Sequence, residues 1–155
     1  MRMVCAVGVL SLGAVLVGGG PAAGAVVGPE ADLAYHGYVT VAGGRVDVRL
    51  TPRNHGPNPV GDATVRLRWS APLHDVQRLA ARCARAGERT VVCRTGALPA
   101  DGLGEEIRVR VRLRGVPSEV SMAVDTVWGG GSVDRNHAND RQRVLALDTG
   151  DSYAF

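Results

Sequence analysis

Four arginines at alternating positions, Arg108, Arg110, Arg112 and Arg114, are the densest run of one chemistry in the sequence. In an extended strand alternate side chains leave from one face, roughly 7 Å apart. The four would therefore make a cationic stripe suited to an anionic wall polymer such as teichoic acid, held in a salt-dependent way. Arg49, Arg66 and Arg68 extend that face if their strands share its sheet. The plainer account is a solvated surface whose arginines are neutralised by Asp47, Glu119 or Asp125. Every basic side chain is Arg and none is Lys, which, with abundant Ala, Gly and Val, marks a high-GC genome rather than guanidinium chemistry as such.

Other groups invite chemical readings and mostly fail them. Asp148-Thr149-Gly150 follows an apolar segment as in aspartic proteases, but that reaction needs two carboxylates sharing a proton beneath a flap. A small hydrolase built on Asp148 is the remotest reading, and a strand end with a turn is expected. Asp134, Asn136, Asn139 and Asp140 offer oxygen ligands for calcium. They lack the glycine and the distal Glu of a helix–loop–helix calcium site, and such residues also make turns by bonding their own backbone. Turn chemistry is expected, with no metal and no cofactor. His36, His55, His74 and His137 are scattered singly, so surface positions are expected. Trp69 and Trp128 close alternating segments on their apolar faces and are expected in the core. Tyr153 and Phe155 end a short tail, 148–155, that either folds over a sheet edge or docks into a partner's groove.

Compartment follows from the other end of the chain. Residues 1–25 read as a secretory signal peptide: Arg2 is the charged start, Val4 to Val17 is apolar, and Ala23-Gly24-Ala25 is a small-residue cleavage site. The apolar run falls short of the roughly 20 residues that span a bilayer. Val26 is the expected mature start, with no membrane span after cleavage. Of three cysteines, Cys5 leaves with the peptide. Cys83 and Cys93 remain, and in an exported chain they are expected to form a disulfide. The net charge is only +3, and two Trp, three Tyr and one Phe are too few for a base-stacking surface, so nucleic acid is not an expected partner.

Period-two alternation supplies the elements. Leu33–Val41, Val46–Thr51, Val65–Trp69, Arg89–Arg94, Ile107–Arg114, Val120–Trp128 and Arg143–Leu147 read as strands. Gly43-Gly44 suits a tight hairpin. Asn54-His55-Gly56-Pro57-Asn58-Pro59 must be a loop, because two prolines interrupt a ladder. Gly115-Val116-Pro117-Ser118 reads as a turn, and Leu73 to Ala84 has room for one or two helical turns, since Leu79, Ala80 and Arg82 favour them. About seven short strands in one domain, residues 26–155, predict an all-β antiparallel sandwich.

The order of these features resembles a known family. Ala31-Asp32-Leu33, the Asn54-His55-Gly56-Pro57 loop, Val91-Val92-Cys93-Arg94-Thr95-Gly96-Ala97-Leu98 and Asp134-Arg135-Asn136-His137-Ala138-Asn139-Asp140 stand in one sequence. Together they are similar to the conserved-repeat, immunoglobulin-like domain of bacterial surface and secreted proteins, the domain of unknown function 11 type. The likeness runs from about Asp32 to Leu147 and departs in being a single copy, in Asp140 where Asn is usual, and in the added tail. It implies an extracellular sandwich with no established catalytic residues. The expectation is thus a secreted, non-catalytic interaction module of the cell envelope, engaging a wall polymer or another secreted protein. A structural envelope protein that assembles through sheet edges or the tail is the alternative.

Overall fold

The computed structural model describes residues 28–155. Residues 1–25, read above as a signal peptide, lie outside them with Cys5 and the expected mature start at Val26. The strands are β1 (Glu30–Ala31), β2 (Leu33–Ala42), β3 (Arg45–Asn54), β4 (Thr64–Trp69), β5 (Cys83–Gly87), β6 (Thr90–Arg94), β7 (Gly102–Leu103), β8 (Ile107–Arg112), β9 (Glu119–Trp128), β10 (Val133–Asp134), β11 (Arg141–Leu147) and β12 (Ser152–Ala154). One sheet runs β11-β9-β4-β6-β5 and the other β12-β2-β3, with β8 and then β7 along the far side of β3. All pairings in both sheets are antiparallel, and only the two-residue β1–β10 contact is parallel. This is the expected all-β sandwich, and its strand cores coincide with the alternating segments. Among the described residues no helix is long and apolar enough to cross a membrane.

Alternation explains the core. Val39, Val41, Val46, Val48 and Leu50 of one sheet, with Ile107, Val109 and Val111, face Val65, Leu67, Trp69, Val91, Val120, Met122 and Val124 of the other, all buried. Each strand thereby hides one face and leaves its arginines outside. The β2–β3 hairpin turns at Gly43 and Gly44, whose φ angles of 57° and 70° demand glycine-like freedom at both central positions. Tyr35 is buried among the apolar groups, its hydroxyl 2.8 Å from Thr126 Oγ1. Burial pushes its phenol up to about 12, only partly offset by the Thr126 hydrogen bond.

Asn54 closes one end of the sandwich. It is fully buried, and its side chain makes four hydrogen bonds. Its Oδ1 accepts from the N–H groups of Asp32 (3.2 Å) and Gly56 (2.9 Å), while Nδ2 donates to the carbonyls of Asn58 (2.8 Å) and Pro99 (3.2 Å). Gly56 runs so close to β1 that a Cβ there would sit 2.5 Å from Ala31 Cα.

The region Leu73 to Ala84 corrects the sequence expectation, for it contains no helix. Leu73 is tied to Leu113 in an isolated bridge, and Cys83 and Ala84 begin β5. The Arg85 guanidinium donates to the carbonyls of Leu73, His74 and Asp75 and, on its other side, of Gly87 and Glu88. Carbonyls that a helix would satisfy internally are thus held by one side chain from β5. Cys83 and Cys93 stand directly opposite in the β5–β6 register and form the expected disulfide.

Candidate functional site

Register places the arginines. On the outer face of the β3–β8 pair, Arg45 stands opposite Arg112, Asp47 opposite Arg110, and Arg49 opposite Arg108. The inner neighbours Val46, Val48, Val109 and Val111 anchor this face to the core. Arg108 Nε donates to Glu106 at 2.7 Å and Arg110 Nε to Asp47 at 2.8 Å. The Glu106 hydrogen bond holds the Arg108 guanidinium above its ordinary range. Arg114 lies beyond β8 and is drawn to Asp75, 2.6 Å away. Among the described residues, no acidic group lies within ion-pair distance of Arg45, Arg49 or Arg112.

A groove of about 950 Å³ opens at the Arg45–Arg112 end, lined also by Val76, Arg78, Asp47 and Arg110. Its wall is fixed by Gln77, which acts like a residue of an added strand. The Gln77 Nε2 donates to the Arg112 carbonyl (2.7 Å), and the Arg112 N–H donates to Gln77 Oε1 (2.9 Å). His74 N–H donates to the same carbonyl at 2.8 Å. The exposed edge of β8 is thus blunted and the groove held open. Chemically, it presents guanidinium forks, with one carboxylate already engaged by Arg110, over an apolar rim. Such a surface suits a flexible anion that threads between forks.

Two arginines expected to extend this face do not. Arg66 and Arg68 lie on β4, in the opposite sheet, because β4 pairs with β6 and β9 rather than β3. Arg45 and Arg78, which sequence reasoning passed over, take their place. Arg45 was within reach of the alternation rule, since it shares parity with Asp47 and Arg49. Nothing local marks Arg78, whose position depends on how the irregular segment crosses β8.

The remaining candidates have structural employment. Asp148 Oδ1 accepts from Gly43 N–H at 2.6 Å, clipping the end of β11 to the β2–β3 turn. In the loop around β10, Asp134 accepts from the N–H groups of Leu33 (2.8 Å) and Asn136 (2.9 Å), while Asn136 and Asn139 donate to Asp32. Asp140 is buried, with His137 Nδ1 3.2 Å from its Oδ2. No group of three or more His, Cys, Asp or Glu with metal-binding geometry occurs among the described residues. His36 and His55 are exposed and His74 half-buried.

Trp69 is buried as expected, but Trp128 is 51% exposed, as is its neighbour Val127 at 52%. The β4–β9 register shifts between Thr64 and Val65, so that Val65 faces Thr126 while Thr64 faces Trp128; the extra residue, Val127, breaks the alternation and puts Trp128 on the outward face with Thr64. The tail forms β12 and pairs with β2, the first of its two readings. Gly37 and Phe155 exchange backbone hydrogen bonds of 3.0 Å, and the Phe155 ring lies where a Gly37 side chain would be, 2.9 Å from an added Cβ. Tyr153 and Phe155 both pack against the main core.

No family model, curated protein or solved structure matches the chain.

Proposed function

We propose that this is a non-catalytic interaction module, exported from a bacterial cell, that holds an anionic envelope polymer along the outer face of β3 and β8. The observation that carries the reading is the facing of Arg45 and Arg112 across the ladder without acidic partners, beside a groove walled by Arg78. Like charges placed opposite each other in a sheet are unfavourable, and a bound polyanion relieves them. Supporting it are the immunoglobulin-like family resemblance, the signal-like amino-terminal segment, and a disulfide, which suits an oxidising compartment. The sheet fixes the backbones that carry these side chains, so binding has only their rotamers to order.

Co-sedimentation of the purified protein with isolated bacterial cell walls tests this. Pelleting at low salt that falls as salt rises, and is lost in an Arg45→Ser/Arg112→Ser variant, is the expected result. Salt-resistant pelleting that the double substitution leaves unchanged would sink the polyanion reading and direct attention to Trp128 and Val127. A protein that stays in the supernatant at both salts would remove wall binding altogether.

A further inference from the structure

The opposite sheet carries its own arrangement of arginines. Arg68 on β4 and Arg143 on β11 both stand opposite Ala123 on β9, which lies between them. In the next row, Arg66 and Arg141 flank Asp125 in the same way. The Asp125 carboxylate is already held by Arg66, whose Nε donates to Oδ1 at 3.0 Å and whose Nη2 meets Oδ2. Arg141 lies 3.9 Å from the buried Asp140. Among the described residues, Arg68 and Arg143 have neither an ion pair nor a side-chain hydrogen bond.

Two strand spacings put the Arg68 and Arg143 backbones roughly 10 Å apart. The floor between them is a methyl group, because Met122 and Val124 on either side of Ala123 point into the core. Shallow depressions of about 550 Å³ and 320 Å³ meet over this residue, the second also lined by Arg89. Two long guanidinium arms that reach inward from opposite walls of such a gap meet a single tetrahedral dianion from both sides. Each planar fork can then donate two hydrogen bonds.

We infer that the outer face of the β11–β9–β4 sheet holds a second anion site, in which Arg68 and Arg143 clasp a phosphate group over Ala123. The site goes beyond the β3–β8 reading and depends on different residues, so the two stand or fall separately. A monocarboxylate fills only one fork, which makes phosphate the preferred anion.

Amide chemical shifts of the purified, isotope-labelled protein, followed during titration with inorganic pyrophosphate and with acetate at matched ionic strength, test the assignment. Saturable shifts at Ala123 and its row neighbours are expected with pyrophosphate, at least tenfold weaker with acetate. An Arg68→Ser/Arg143→Ser variant should weaken them at least tenfold and leave shifts along β3 and β8 unchanged. Ala123→Glu supplies a second test in which both arginines survive. Its carboxylate should occupy the gap, abolish pyrophosphate binding there and raise the melting temperature. Shifts confined to β3 and β8 would overturn the second site and leave the first. Shifts confined to the Ala123 row would support the second site and leave the β3–β8 reading to its own test. Equal response to both anions, or undiminished pyrophosphate binding in Ala123→Glu, would overturn the clasp.

Discussion

Asn54 is where the loop chemistry and the fold stability meet, and its removal has a calculable cost. Asn54→Ala leaves two N–H groups, of Asp32 and Gly56, and two carbonyls, of Asn58 and Pro99, without their partner. At about 1 kcal/mol net for each bond, and with water reaching the partly exposed partners, the expected loss is about 3 kcal/mol. For a domain of this size that corresponds to a melting temperature about 10 °C lower. Asn54→Asp sharpens the test because it keeps the shape and both acceptor contacts. It replaces the amide donor by an oxygen aimed at two carbonyls, and it buries a charge. At pH 7 it should cost at least as much as Asn54→Ala. The deficit should shrink as pH falls towards about 4, where protonation restores one donor. Urea unfolding with an unchanged slope measures both variants. An Asn54→Asp protein within about 1 kcal/mol of the parent at pH 7 would refute the hydrogen-bond account, since only space filling would then matter.

Replacing Cys83 and Cys93 by Ser opens a short loop, worth about 2.8 kcal/mol on the chain-entropy estimate; calorimetry should show a melting temperature lower by about 10 °C, and a change under about 3 °C would show that β5 is held by other contacts. Trp69→Ala should cost about 3–5 kcal/mol as a core truncation, whereas Trp128→Ala should stay within about 0.5 kcal/mol; equal effects in urea unfolding would contradict their opposite burial. Because the Tyr35 phenol is raised in the folded protein, its contribution is fully present below the ordinary tyrosine range near 10. It is lost as pH rises towards about 12. Absorbance at 295 nm should show one late-ionising tyrosine, absent in Tyr35→Phe, and its persistence there would disprove the assignment.

The strands were legible because each long strand buries one face, so the pattern Arg–Val–Arg–Val at Arg108 to Val111 carries the whole argument in four letters. The disulfide was legible from cysteine number and spacing. What stayed hidden required partners distant in sequence. Arg85 decides the conformation of Leu73 to Asp75 by donating to carbonyls 10 to 12 positions away, and helix propensity at Leu79 to Arg82 carries no trace of it. Trp128 sits at the end of an alternating segment and obeys its parity, yet the register shift near Thr64 uncovers it. Sheet membership is the larger gap. Arg66 and Arg108 look alike locally, but the order of strands sends them to opposite sides of the molecule. The single cationic face expected from sequence is therefore two.

The pairing of β12 with β2 links Ser152 to Thr40 across 112 positions. In a chain synthesised amino end first, the β2–β3 hairpin is complete long before its outer neighbour arrives. Until then β2 presents an open row of backbone donors and acceptors, the template on which strands of other chains add. Phe155 settling on Gly37 is thus a closing event in time as well as in space. The interval before it sets how long each newly made molecule is exposed to capture by its siblings, and hence how tolerant the protein is of rapid synthesis.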